Sequence, residues 1–166
     1  FMEYSLISKK TKFTLTRYGN VVGSTGSVIP LFVKQFAEQG YITVTDPHMT
    51  RFWISIKQAV QLVKWALYSE NGHMIVPKAS AMTIGELATS IAGPTNIKII
   101  GPRPGEKRHE HMIAEHEGVR ARDMVEYYDI GPQIVNADGF VLTSNNPQVW
   151  IDAKTMNDYI EMAKCV

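Results

Sequence analysis

The stretch Arg17-Tyr18-Gly19-Asn20-Val21-Val22-Gly23 decides how the rest of the chain is read. Ahead of it, Lys12-Phe13-Thr14-Leu15-Thr16 is rich in β-branched side chains and short enough for a buried strand, so a strand over 12–18 is expected. Behind it, Gly23, Gly26 and the neighbouring serines form a polar loop over 19–28 that can turn tightly and leave amide N–H groups for a ligand. Ile29-Pro30 then opens a helix expected over 30–39, where a proline near the first turn forfeits no hydrogen bond. Strand, flexible loop and helix in that order are the layout of a small-molecule site at the carboxyl end of an α/β strand. A plain connection has the same spacing, so the loop alone does not separate the two.

Working outward, Leu31, Phe32, Val33, Phe36 and Ala37 give the first helix a broad apolar face, and Gly40 stops it. Ile42-Thr43-Val44 reads as a short strand broken by Asp46-Pro47, and Met49 to Ile54 as an extended, aromatic-rich segment carrying Arg51. Ser55 can cap a helix over 56–68. Its residues Ile56, Val60, Val63 and Leu67 recur at helical spacing, with Ala59, Leu62 and Ala66 widening the stripe, and this face is expected to bury against a sheet. His73 to Val76 reads as a buried strand closed by Pro77. Thr83 with Glu86 makes a capping box for a helix over 84–92, and Ile97 to Ile100 is another short strand. From 12 to 100 strands and helices alternate, which argues an α/β layer fold with mainly parallel pairing.

The style changes after Ile100. Gly101-Pro102-Arg103-Pro104-Gly105 fixes a rigid turn, and a charged segment runs to about Asp123 with Met112 and Ile113 as its apolar anchors. Val125 to Tyr128, Gln133 to Val135 and Gly139 to Leu142 look extended. A polar loop over 143–148 leads to Val149-Trp150-Ile151 and a last helix over 153–163, with Asp152 as N-cap and Met156, Tyr159, Ile160 and Ala163 as its buried stripe. At the other end, Glu3 to Lys10 reads as the last turns of a helix. The chain is expected to divide into 2–100 and 101–166, within one compact unit.

Composition narrows the class. The 166 residues can bury a real core, and 45% apolar with 20% charged residues is ordinary for a soluble globular protein. With 17 basic and 16 acidic residues the net charge is +1, so no global field draws the chain to nucleic acid or an acidic membrane. The basic residues after 100 are laced with acidic ones, which removes the single-sign stripe that a duplex needs. No apolar run has the length of a membrane span and no signal peptide is visible, so a cytoplasmic location is expected. The single cysteine, Cys165, excludes an internal disulfide and has no evident catalytic partner. Phe1 ahead of Met2 reads as an added residue.

Five histidines are present: His48, His73, His109, His111 and His116. The last three lie among glutamates, but their spacing fits no tight metal motif, and His73 reads as a structural residue inside an apolar strand. Two arginines stand out instead. Arg51 is set among aromatic and apolar residues, and Arg103 between two prolines. A guanidinium on stiff backbone presents a fork suited to phosphate or carboxylate at small ordering cost. Glu106 can accept hydrogen bonds from vicinal hydroxyls. Together with free loop amides these residues describe a nucleotide-sugar pocket; structural ion pairs of the arginines with Asp46 or Glu106 account for them equally well.

The ordered set Arg17-Tyr18-Gly19-Asn20-Val21-Val22-Gly23-Ser24, Gly26-Ser27-Val28-Ile29-Pro30, Thr45-Asp46-Pro47, Met49-Thr50-Arg51-Phe52-Trp53-Ile54, Val76-Pro77-Lys78, Arg103-Pro104-Gly105-Glu106-Lys107 and His109-Glu110 resembles the C-terminal half of the inverting UDP-N-acetylglucosamine 4,6-dehydratases. These are extended short-chain dehydrogenase/reductases of polysaccharide and flagellin-glycan biosynthesis. The resemblance implies a Rossmann-like α/β fold with a small substrate lobe, Val76 lying on a late strand and 101–123 in the lobe. It implies that Asn20 contacts the substrate beside sugar and diphosphate, and that the stretch from Ser27 through Val28 and Ile29 to Phe32 lines the uracil and ribose side. Arg51 and Arg103 would then bind the diphosphate, with Glu106 on the ribose hydroxyls.

The family's chains are longer. Their N-terminal half carries the glycine-rich dinucleotide loop and a catalytic tyrosine and lysine four residues apart, and neither is found here; Tyr4 and Lys9 are five apart. The resemblance thus implies NADP in the complete enzyme but no cofactor held by this chain alone, and no catalytic residue on it. It also implies a homo-oligomer or a separate N-terminal half to cover the open sheet. Thr25 stands where the family commonly has arginine, and Arg108 where an apolar residue is usual. A self-contained nucleotide-sugar binding module and a non-catalytic structural remnant are the competing readings.

Overall fold

The computed structural model describes residues 2–164; the expectations for Phe1 and Cys165 lie outside them. In chain order the helices are α1 (Met2–Ile7), α2 (Val28–Gln39), α3 (Ile56–Tyr68), α4 (Ile84–Ala92), α5 (Glu115–Gly118) and α6 (Ala153–Lys164). The strands are β1 (Leu15–Thr16), β2 (Asn20–Val21), β3 (Ile42–Val44), β4 (Thr50–Ile54), β5 (Met74–Pro77), β6 (Ser80–Thr83), β7 (Ile97–Ile99), β8 (His111–Ile113), β9 (Ala121–Asp123), β10 (Tyr127–Ile130) and β11 (Leu142–Thr143). Between residues 12 and 100, β1 with β5, β2 with β4 and β3 with β7 pair in parallel, and β4 with β6 antiparallel. The expected α/β class with mainly parallel pairing there is what the chain forms. No helix among the described residues is long and apolar enough to cross a membrane.

By contacts the chain makes two units, each drawn from three stretches rather than one. The first unit takes the chain through Gly19, then Ile56–Ala79 and His111–Thr143. Its sheet runs β1-β5-β10-β9, with Leu15 opposite Met74 and Tyr128 opposite Val76. Helix α3 covers it through Ala59, Leu62 and Ala66, while Trp65 stacks on Tyr127 with ring centroids 4.6 Å apart. The Lys12 ammonium donates to the carbonyls of Leu67 at 2.7 Å and Ser69 at 2.9 Å, placing a cation at the negative end of α3. Arg17 forms a two-pronged pair with the buried Glu117, both N···O distances 2.7 Å, and also donates to Met112 O. His73 is buried, its Nδ1 2.7 Å from Asp129 Oδ1, with Gly131 tight against the ring; it is a structural histidine, as its apolar strand suggested.

The second unit comprises 20–55, 80–110 and the chain from Ser144 onward. Its strands form β2-β4-β6 and β3-β7, and α2, α4 and α6 enclose a core that includes Ile29, Phe32, Ile42, Val44, Trp53, Leu87 and Ile160. The capping box is present: Thr83 Oγ1 accepts from Glu86 N at 3.0 Å, and the Glu86 carboxylate accepts from Thr83 N at 3.1 Å. Asp152 caps α6, accepting from Thr155 N at 2.7 Å, and Tyr159, Ile160 and Ala163 are buried as their spacing required.

The departures have local causes. The strand expected over 12–18 shrinks to Leu15–Thr16, and the expected loop contains β2, which Asn20 and Val21 form by parallel pairing with Trp53 and Ile54. Helix α2 starts at Val28, two residues early, because Ser27 takes the extended N-cap conformation. Strand β6 carries no β-branched core residue and exists through its pairing with β4. His111–Ile113, within the segment read as charged, forms β8 by burying its anchors Met112 and Ile113. Gln133 to Val135, expected extended, is exposed and joins no strand. On α3 the stripe Ile56, Val60, Val63 and Leu67, expected to face a sheet, is 46–65% exposed. Ala59, Leu62 and Ala66 beside it are buried instead.

Candidate functional site

A cavity of about 340 Å³ opens in the second unit, lined entirely by that unit's own residues. It brings together seven of the eight residues that the sequence marked: Asn20, Ser27, Val28, Phe32, Arg51, Arg103 and Glu106. Ile29 is the exception. It is fully buried in the core, because the second residue of α2 points away from the mouth that Val28 lines. Gln35, Thr43, Met49 and Trp53 also line the cavity and were not marked beforehand. Gln35 and Thr43 are fixed to each other, Thr43 N donating to Gln35 Oε1 at 3.1 Å and Gln35 Nε2 to Thr43 Oγ1 at 2.9 Å.

One wall is the start of α2. Gly26 takes a left-handed φ of 75° ahead of Ser27, and Pro30 supplies no N–H in the first turn. The twelve-residue helix thus presents a positive dipole end to the cavity. Ser27 makes no capping bond, and its Oγ is buried without a partner. The same holds for Nε1 of Trp53, a residue with no exposed surface. Two orphaned polar atoms on the lining of one cavity are unusual, since buried polar groups are normally satisfied. Both can donate to an acceptor, and an oxygen-rich ligand supplies acceptors.

The opposite wall is the turn at 101–110, held along β4. Thr50 N donates to Arg108 O at 2.9 Å, and Phe52 N donates to Glu110 Oε2 at 3.0 Å. Behind them, Thr50 Oγ1 lies 2.9 Å from His109 Nδ1 and 2.6 Å from the Oγ of the fully buried Ser144, which accepts from Glu110 N. His109 and Glu110 therefore anchor the arginine-bearing turn. His111 and His116 are exposed on other elements, and no three metal-ligating side chains gather among the described residues.

Arg51 is 15% exposed and already engaged. It donates to Thr50 O at 2.8 Å and lies 3.8 Å from Glu106 and 3.7 Å from Glu110. These are loose ion pairs, of the structural kind foreseen for Arg51 with Glu106; Asp46 pairs instead with Arg108, at 3.3 Å. Glu106 also accepts from Arg103 N at 3.2 Å, so its carboxylate links the two arginine positions and keeps lone pairs to spare. The Arg103 guanidinium is exposed and has no partner among the described residues. One cation is thus preset by carboxylates and the other stands ready at the rim.

A helix start, two arginines and a carboxylate able to accept from hydroxyls surround one cavity of an α/β layer of the extended short-chain dehydrogenase/reductase type. A solved structure described as Pen from Bacillus thuringiensis overlays 96% of this chain with a TM-score of 0.82 at 32% identity, covering 52% of that chain. A UDP-N-acetylglucosamine 4-epimerase from Methanobrevibacter ruminantium M1, 20% identical, matches in fold over 64% of this chain and 39% of its own, with a TM-score of 0.51. The polysaccharide biosynthesis protein family matches residues 1–132, and this chain belongs to that family.

Among curated relatives, an inverting UDP-N-acetylglucosamine 4,6-dehydratase of Campylobacter jejuni subsp. jejuni serotype O:23/36 (strain 81-176) is 38% identical over 92% of this chain and 52% of its own length. A UDP-glucose 4-epimerase of Rickettsia bellii (strain OSU 85-389) is 43% identical over 75% of this chain and 38% of its own. The chain spans about half the length of the dehydratase relatives it matches.

Proposed function

We propose that this chain is the UDP-sugar-binding half of a UDP-N-acetylglucosamine 4,6-dehydratase-like protein of polysaccharide biosynthesis. The observation that carries the reading is the convergence of Arg51, Arg103 and Glu106 with the start of α2 and the orphaned Ser27 Oγ and Trp53 Nε1 around one cavity. Two arginines and a helix start suit a diphosphate, and Glu106 suits the vicinal hydroxyls of a ribose. The relatives named for UDP-N-acetylglucosamine and UDP-glucose chemistry support a UDP-sugar as the ligand. The nicotinamide cofactor implied by the family finds no matching fingerprint: the loop before α2 reads Gly23-Ser24-Thr25-Gly26, without the Gly-x-Gly-x-x-Gly spacing that lets backbone approach a pyrophosphate.

The test is titration calorimetry of UDP-N-acetylglucosamine into the folded chain, with Arg103→Ala alongside and NADPH injected separately. Saturable binding that weakens at least about tenfold in the variant is expected, the loss of one charge-assisted contact. Because Arg103 is exposed and unpaired, the substitution should leave thermal stability unchanged. Binding of UDP-sugar unaffected by Arg103→Ala, or none at all in a folded protein, overturns the reading and favours a structural remnant.

A further inference from the structure

The structural role of His73 uses one ring nitrogen. A carboxylate only accepts, so the 2.7 Å contact with Asp129 makes Nδ1 the donor and leaves Nε2 for another partner. Nε2 lies 3.5 Å from the Glu70 carboxylate, and both residues line a second cavity, of about 60 Å³, at the amino end of β5. Arg120, Arg122, Gly131 and Gln133 complete its wall, all from the first unit. Sheet register gathers them: Ile130 stands opposite both Met74 and Ala121, so His73, Arg120 and Gly131, one residue beyond, meet at one end of the sheet.

Charge in this cavity is unbalanced. Arg120 and Arg122 stand two residues apart at the start of β9, which turns both side chains to one face. Neither guanidinium has a hydrogen-bond or ion-pair partner among the described residues. Asp129, opposite Arg122 in the register, is spent on His73 instead. Of the lining residues Glu70 alone is acidic, and its side chain is 82% exposed, free to swing out. Gly131 keeps space open beside the ring, because a Cβ there would come within 2.9 Å of Cε1 and 3.0 Å of Nε2.

Size and chemistry define the occupant. The cavity has the volume of a few water molecules, enough for one tetrahedral oxyanion and too small for a nucleotide. Two guanidiniums and the Gln133 amide donate to its oxygens. Nε2 accepts from a P–O–H when neutral and donates to an anionic oxygen when charged, so a phosphate meets it in either state. A carboxylate has too few oxygens to satisfy both arginines and the ring.

We infer that this cavity binds a phosphate group, as the free ion or a monoester, on Arg120, Arg122 and His73, displacing the Glu70 carboxylate. None of its residues lines the cavity that holds Arg51 and Arg103, so the two sites fail or stand separately.

The test is titration of the folded, isotope-labelled chain with inorganic phosphate at constant ionic strength, followed by amide and imidazole NMR shifts. His73 and Gly131 are expected to shift together and saturably, and equally in Arg103→Ala. Arg122→Met, an exposed change, is expected to weaken binding at least tenfold, and Glu70→Gln to tighten it at least twofold. Methyl phosphate distinguishes the sources: binding as tight as phosphate assigns a monoester, and weaker binding the free ion. Acetate is expected to bind at least tenfold more weakly than phosphate. No saturable shift at His73 and Gly131, indifference to Arg122→Met, weaker binding in Glu70→Gln, or acetate binding as tight as phosphate overturns the proposal.

Discussion

Arg17 and Glu117 form a pair whose two halves should be worth different amounts. The Glu117 side chain is 10% exposed and that of Arg17 is 37% exposed. In Arg17→Met the carboxylate stays buried with Ala114 N, at 2.9 Å, as its remaining described partner. An uncompensated buried charge of this kind costs about 3 kcal/mol. In Glu117→Gln the guanidinium turns to water while the amide oxygen can still accept from Ala114 N, so the loss should be about 1–2 kcal/mol. The pair also sets a pH response. The hydrogen bond from Arg17 holds the Glu117 carboxyl below its usual range, outweighing the opposing effect of burial, with the Ala114 N–H adding to it. A depressed carboxyl stabilises the fold at every pH above its unfolded pKa and loses that contribution as pH falls through the lower, folded value. Urea unfolding at neutral pH and through the acid range measures both effects. The parent should lose stability below about pH 4.5, near the unfolded pKa, and Glu117→Gln should flatten that fall. The gap between the parent and Arg17→Met should narrow as acid protonates Glu117. Equal losses for the two variants at neutral pH, or an acid response unchanged in Glu117→Gln, would refute the reasoning.

Two backbone sites give sharper signs. Val125 is the one non-glycine residue described at positive φ, 63°, and is 85% exposed at the turn between β9 and β10, so Val125→Gly should stabilise the protein by about 0.5–1 kcal/mol. An unchanged or lowered urea midpoint would show that the strain is not there. Gly118 lies so close to Phe140 that an added Cβ would sit 1.9 Å from its carbonyl oxygen and 2.6 Å from its nitrogen. Backbone cannot step aside as a side chain can, so Gly118→Ala should cost about 3 kcal/mol or more, read as a large fall in melting temperature.

How much of this was legible follows from how far each signal reaches along the chain. Helix α3 and α4 came out at the residues expected, because caps and apolar spacing are local: Thr83 and Glu86 satisfy each other three residues apart. The cavity was legible for a different reason. Arg51 and Arg103 sit on stiff segments, one on a strand and one between prolines, so their positions vary little and their chemistry can be inferred before any contact is known. What stayed hidden depends on distant partners. Nothing around Ser144 announces that its hydroxyl accepts from Glu110 N and meets Thr50, yet that buried network holds the turn carrying Arg103. Trp53 stands in the sequence only as one residue of an aromatic-rich segment, and its place on the cavity lining with an orphaned Nε1 shows only in the fold.

The grouping of the chain into units has the same origin. Composition shifts at Ile100, but contacts join residues before Gly19 to 56–79 and 111–143, because β5 takes β1 on one side in parallel and β10 on the other antiparallel. Sheet neighbours are chosen by pairing, not by sequence distance. Helix α3 shows the limit most clearly. Two apolar stripes share one helix, and periodicity alone cannot rank them. The alanine-bearing stripe is the one that packs on β1 and β5, and Ile56, Val60, Val63 and Leu67 are left exposed. A residue pattern fixes how many faces a helix has to cover, whereas the neighbours available decide which of them is covered first.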